Sequence, residues 1–174
     1  VEVTEERAQE TEVRASRGGL VAGMAAGAAL LCLMLLRTYN AHQDIWRQLK
    51  LAGMPFLGAR ALEPGFALGP VAIGVGCHIG IALIWGLTFA VLFDGLSKTA
   101  TLLAGALMGV ACWLTMFHAV LPLFGLGHLA HLMPARLAAF EHLIFGLYLG
   151  LGYLPFQRPG QVSERAPSPA HREQ

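Results

Sequence analysis

With 174 residues, a formal net charge of +1, 55% hydrophobic residues and only 13% charged ones, the chain is too apolar for a water-soluble domain of its size and reads as an integral membrane protein. Its charges form no basic stripe interleaved with aromatics, which excludes nucleic acid as a partner. Cys32, Cys77 and Cys112 lie in apolar runs without paired spacing, so they indicate packing rather than a disulfide framework or a zinc knuckle.

Residues 1–17 carry five glutamates and three arginines without a sustained apolar face. They predict a polar, solvated N-terminal tail and no cleaved signal peptide, because no basic segment leads into a short apolar run. The next 19 residues, 18–36, are uncharged. At about 1.5 Å per residue they cross a hydrocarbon core of about 30 Å. Gly19, Gly23 and Gly27 recur every fourth residue there and form a surface against which another helix packs closely.

The connection from Arg37 to Gly69 is too long for a simple loop. Asn40 followed by Gln43 resembles a capping box, Ile45, Trp46, Leu49 and Ala52 make an apolar face, and Gly53 and Pro55 end the helix. With Arg47 and Lys50 opposite, the segment of about 41–52 is predicted as a short amphipathic helix on the membrane surface, with Trp46 as its interfacial anchor. A partner-binding helix is the sharper alternative.

The second span runs over about 70–93, and the short turn Asp94–Lys98 predicts an antiparallel neighbour. The third span, about 99–123, carries His118 and then Pro122, which has no N–H for the His118 carbonyl. His128 and His131 lie in the following short loop. The fourth span, about 134–156, contains Arg136, Glu141 and His142; residues 157–174 are proline-rich and polar, and are expected to be a disordered tail. The fold class is therefore all-α, with one four-helix transmembrane domain over 18–156. Seven Lys and Arg fall on the side of the tails and five on the other, a bias that favours cytoplasmic tails.

The spans repeat one another. Gly23 and Gly27 map onto Gly105 and Gly109 at an offset of 82; Pro70, His78, Ala82 and Gly86 map onto Pro134, His142, Gly146 and Gly150 at an offset of 64. This pattern predicts two duplicated helical hairpins, parallel and related by a pseudo-two-fold axis along the membrane normal. Equivalent residues then share one depth, and His78 and His142 become a facing pair.

The glycine-rich first span, the histidine followed by small residues at i+4 and i+8, and the segment His142-Leu-Ile-Phe-Gly146-Leu-Tyr-Leu-Gly150 resemble small four-span bacterial inner-membrane proteins of unknown function, including YagU-like ones. The likeness covers roughly residues 18–156 and implies a bacterial cytoplasmic membrane and multi-pass topology. It supplies no catalytic residues, and it does not account for the long first loop or for Glu141 beside the histidine.

Two constellations carry chemistry. His78 and His142 at equal depth are candidate ligands for a haem b or another metal, with the small residues beside them making room for a flat macrocycle; the bland alternative is that both imidazoles hydrogen-bond neighbouring helices. His118, His128, His131 and Glu141 are candidate ligands for zinc, copper or iron, against an ion pair of His118 with Glu141 and interfacial loop histidines. No phosphate-cradling loop, nucleophilic triad or carboxylate pair is present, which argues against an enzyme. The leading expectation is a structural or accessory membrane subunit in the lipid bilayer, assembling with itself or within a larger complex. A haem- or metal-binding redox protein using His78 and His142 is the alternative, and a proton- or ion-handling module is a third.

Overall fold

The computed structural model describes residues 2–127 and 134–157, and the regular secondary structure among them is helical. The main elements are α1 (Glu2–Asn40), α2 (Ile45–Lys50), α3 (Met54–Leu57), α4 (Leu68–Phe93), α5 (Lys98–Thr115), α6 (Leu121–Leu123) and α7 (Ala135–Tyr153). Four stretches among the described residues are long and apolar enough to cross a membrane: Gln9–Asn40, Leu68–Phe93, Lys98–Leu123 and Ala135–Phe156. By length and composition the chain is a multi-pass membrane protein.

The first difference from the sequence reading is at the N-terminus. Residues 2–17, expected as a solvated tail, extend α1 as continuous helix. No glycine or proline interrupts them before Gly18, and Glu10 with Arg14 supplies a favourable pair one turn apart. Absence of an apolar face therefore removed tertiary support without removing local helix propensity.

Glycine decides which helices meet. Burying apolar side chains drives association only weakly when the alternative surroundings are hydrocarbon, so close backbone packing has to supply the contact energy. A Cβ on Gly23 would stand 2.5 Å from the Ala82 carbonyl oxygen and 3.0 Å from the Gly86 Cα. One on Gly105 would meet the Gly146 carbonyl and lie 3.0 Å from the Gly150 Cα. These contacts join α1 to α4 and α5 to α7, while α7 also lies along α1, where a Cβ on Gly152 would come within 3.1 Å of the Ala22 Cα. Helices α4 and α5, although joined by a short turn, pack against α1 and α7 rather than closely against each other.

A narrow core of Ala22, Ala26, Phe89, Leu149 and Tyr153 lies between the helices, and the Phe89 and Tyr153 rings meet edge to face at 5.6 Å. The outer faces present Val91, Leu103 and Leu107. At the same end as the 94–98 turn, the Gln157 amide donates to the Phe93 carbonyl at 3.2 Å and to the Thr101 hydroxyl at 2.6 Å, and accepts from the Gly95 N–H at 2.9 Å.

At the opposite end the connection between α1 and α4 folds into a cap. Helix α1 runs through Asn40, so the N-cap of α2 is Asp44 rather than Asn40, with the Asp44 carboxylate accepting from the Trp46 N–H at 2.9 Å. The helical path then breaks into short turns instead of continuing as one helix to residue 52. Lys50, expected on a polar outer face, is buried: its ammonium donates to the carbonyls of Glu63 and Gly65. Met54, Leu57 and Ala61 form a small core of the cap, and Gly53 packs on Gly74 of α4, where a Cβ would lie 3.0 Å from its backbone.

The residues leading into Pro122 form a wide turn, Met116–Val120, in which the Leu121 N–H reaches back to the Met116 carbonyl. A proline that cannot donate weakens the ordinary ladder at that point, and one extra residue is accommodated in the turn.

Candidate functional site

The cap covers a cavity of about 890 Å³ between the four membrane-crossing helices. Its walls away from the cap are Leu30 and Met34 of α1, Ala82 of α4, Cys112 of α5 and Phe145 of α7, with Val75 of α4 lining it nearer the cap. Polar groups enter from three directions. Arg37 and Thr38 come from the end of α1; His78, Glu141 and His142 from the first halves of α4 and α7; and Gln43, Asp44, Arg47 and Gln48 from the cap.

Glu141 sits on the buried face of α7 and is 2% exposed, while the side chain of Arg37 is 27% exposed. Arg37 Nε donates to Glu141 Oε1 at 2.8 Å. A carboxylate two turns inside a membrane helix is costly unless it is paired, and Arg37, three residues before the end of α1, supplies the partner. The pairing is side-on. Among the described residues neither terminal nitrogen of Arg37 makes a further hydrogen bond, so its fork is available to the cavity.

Both histidines line this cavity. Each is oriented by a backbone carbonyl, which only accepts. His78 Nε2 lies 2.9 Å from the Gly27 oxygen and therefore carries the proton, leaving Nδ1 as an acceptor. His142 Nδ1 lies 2.8 Å from the Ala138 oxygen, which leaves Nε2 as an acceptor. The Phe117 ring stands edge-on to His142 at 5.9 Å. The small residues near the histidines do not make space for a macrocycle: Ala82 and Gly86 are in contact with the α1 backbone, and Gly146 and Gly150 with that of α5. They are packing positions, and the room lies on the cap side of them.

The second constellation is dispersed. His118 is exposed, with its ring 5.7 Å from that of Trp113, and Glu141 pairs with Arg37 instead of with His118. His128 and His131 lie outside the described residues. Among the described residues no group of three or more His, Cys, Asp or Glu side chains is placed to hold a metal ion.

The cap is fastened at Gly65. Asp44 Oδ2 accepts from the Gly65 N–H at 2.6 Å and Lys50 donates to the Gly65 carbonyl at 3.2 Å. Gly65 has φ +79°, a conformation that a side chain would strain. The Gly65 N–H, assisted by the backbone N–H groups of Trp46 and Arg47 and by the charge of Lys50, holds the Asp44 carboxyl below its ordinary range against the opposing effect of desolvation.

The sequence reading missed Arg37, Gln48 and Lys50 as parts of this site. A signal for Arg37 was present, since a carboxylate inside an apolar helix favours a cationic partner. Nothing local marked Gln48. Thr38 has one hydroxyl proton, which goes to the Met34 carbonyl at 2.8 Å, and approaches Gln48 Oε1 at only 3.5 Å. Gln48 Nε2 is buried without a partner among the described residues.

A family model described as a family of unknown function (DUF6789) matches residues 13–163. No curated protein and no solved structure matches the chain.

Proposed function

The chain belongs to the DUF6789 family of unknown function, and from that premise we propose that it is an accessory membrane subunit whose capped cavity binds a membrane-soluble small molecule. The observation that carries this reading is the cavity itself. Its volume of about 890 Å³ lies in the range of about 300–1,000 Å³ that accommodates small-molecule ligands, and apolar walls with a few convergent polar groups are the usual composition of such sites. A buried ion pair and two oriented imidazoles line this one cavity.

The architecture behind this reading is a duplicated hairpin. Gly23 on Gly86 becomes Gly105 on Gly150 when the offsets of 82 and 64 are applied, and Gly27 on Ala82 becomes Gly109 on Gly146. Phe89 and Tyr153 are equivalents at the offset of 64 and meet between the hairpins, as expected of residues beside a two-fold axis. The copies differ where Gly152, which lets α7 approach α1, corresponds to Thr88 on α4. A bulkier residue there is consistent with the wider separation of α4 from α5. A bacterial inner membrane, cytoplasmic tails and assembly with itself or a larger complex complete the proposal; charge bias and resemblance support them.

A second reading, ligation of a haem or transition metal, is favoured by one observation: His142 Nδ1 is held by a carbonyl, the arrangement that commonly orients a ligating Nε2. A bis-histidine site would require His78 to exchange its bond to Gly27 or to ligate through Nδ1. One preparation tests both readings. Native mass spectrometry and absorbance of the protein purified in mild detergent are expected to reveal a releasable organic mass and no Soret band. The Val75→Trp variant, which fills the cavity, is expected to lose that mass. A Soret band abolished by His142→Ala would establish the second reading, and an organic mass retained by Val75→Trp would remove the first.

A further inference from the structure

We propose that the cavity receives a single-chain anionic amphiphile, such as a long-chain carboxylate or phosphate monoester, with its head on Arg37, Arg47 and Gln48. This assignment rests on the cavity reading above and adds the chemistry of the ligand.

The polar groups lining the cavity are unevenly satisfied. Asp44 is engaged by two backbone N–H groups and Glu141 by Arg37. Arg37 offers its terminal nitrogens, and Arg47, exposed at the mouth, has no ion-pair partner among the described residues. Gln48 Nε2 is buried and unpartnered on the same wall. Turning that amide over exchanges an orphaned donor for an orphaned acceptor, so one end lacks a partner in either orientation. A buried polar atom without a partner is costly, and an oxygen-rich head answers the guanidinium groups and, with Nε2 turned toward the cavity, this donor as well.

The remaining surface is hydrocarbon-like. Leu30, Met34, Met116 and Phe145 continue inward from the polar mouth, which suits an alkyl chain, and the volume is sufficient to hold one. Helices α4 and α5 both line the cavity yet pack little against each other, so the least obstructed route runs sideways from the bilayer between them. That route suits a molecule already dissolved in lipid.

The test is equilibrium binding of labelled palmitate, hexadecyl phosphate, hexadecanol and methyl palmitate to the full chain in a non-ionic detergent. Saturable one-to-one binding of both anions is expected, about tenfold or more tighter than that of the neutral pair, as charge-assisted hydrogen bonds allow. Arg37→Gln combined with Glu141→Gln strands no charge and is expected to weaken both anions about tenfold, as is Arg47→Gln. Should the double variant fail to fold, Arg47→Gln, at an exposed position, keeps the test decisive. Neutral ligands binding as tightly as anions, or anion affinity unchanged in Arg47→Gln, would overturn the anionic head while leaving a ligand cavity in place. Absence of saturable binding for all four would overturn the head and remove the support for that cavity reading together.

Discussion

Adding a methyl group to Gly146 and to Gly76 should move stability in opposite directions, although both are helical glycines in apolar runs. At Gly146 the new Cβ would collide with the Gly105 carbonyl and stand 2.7 Å from the Gly109 nitrogen and 2.8 Å from its Cα. Ordinary contact begins at 3.4 Å, so clearing the Gly105 carbonyl would require α5 and α7 to separate by about 1 Å along a rigid backbone face. Overpacking of this kind costs about 1–3 kcal/mol, offset by about 1 kcal/mol gained from replacing helical glycine with alanine. Gly146→Ala is therefore expected to lose up to about 2 kcal/mol. At Gly76 a Cβ meets nothing within 4 Å, leaving only the propensity gain, of at most about 1 kcal/mol. Reversible unfolding in mixed micelles, following helicity against denaturing-detergent fraction, reads both. Equal stabilisation by the two substitutions would refute the glycine-mediated contact between α5 and α7, and with it the helix order described above.

Breaking the ion pair from one side should be worse than removing it. Arg37→Met leaves Glu141 buried and charged, and is expected to cost about 2–3 kcal/mol, below the 3–5 of a fully buried pair because Arg37 reaches solvent. Adding Glu141→Leu should restore at least half of that loss in a double-mutant unfolding cycle; additive losses would sink the pairing. For the cap, Asp44 has a folded-state pKa below its unfolded value. Its contribution is present above the unfolded pKa of about 3.9 and disappears as pH falls through the lower folded value. Amide exchange at Gly65, corrected for intrinsic rate, should be flat from pH 5 to 7 and rise below about pH 4. In Asp44→Asn the acid-specific rise should vanish, and its persistence would place the trigger elsewhere.

The membrane-crossing helices were legible because each requirement is local: a run of apolar residues long enough for the hydrocarbon, bounded by polar turns. The recurrence of prolines, histidines and small residues at fixed offsets was visible in the chain whatever those residues touch. The helicity of the N-terminal residues was missed because propensity was weighed below amphipathicity. Lys50 was placed outward because a lysine on a short helix normally reaches water, and its burial depends on two carbonyls presented by a turn thirteen and fifteen residues later.

Composition and spacing alone thus determined the membrane character and the four stretches long and apolar enough to cross a bilayer. Tertiary structure decided what those features face. It gave the small residues beside the histidines to helix packing, joined Glu141 to Arg37 across 104 residues of chain, and folded the first loop over a cavity. The physical reason is range: apolar runs and helix signals act within a few residues, whereas partners for buried charges are chosen by which backbones can approach, and that depends on all four helices at once.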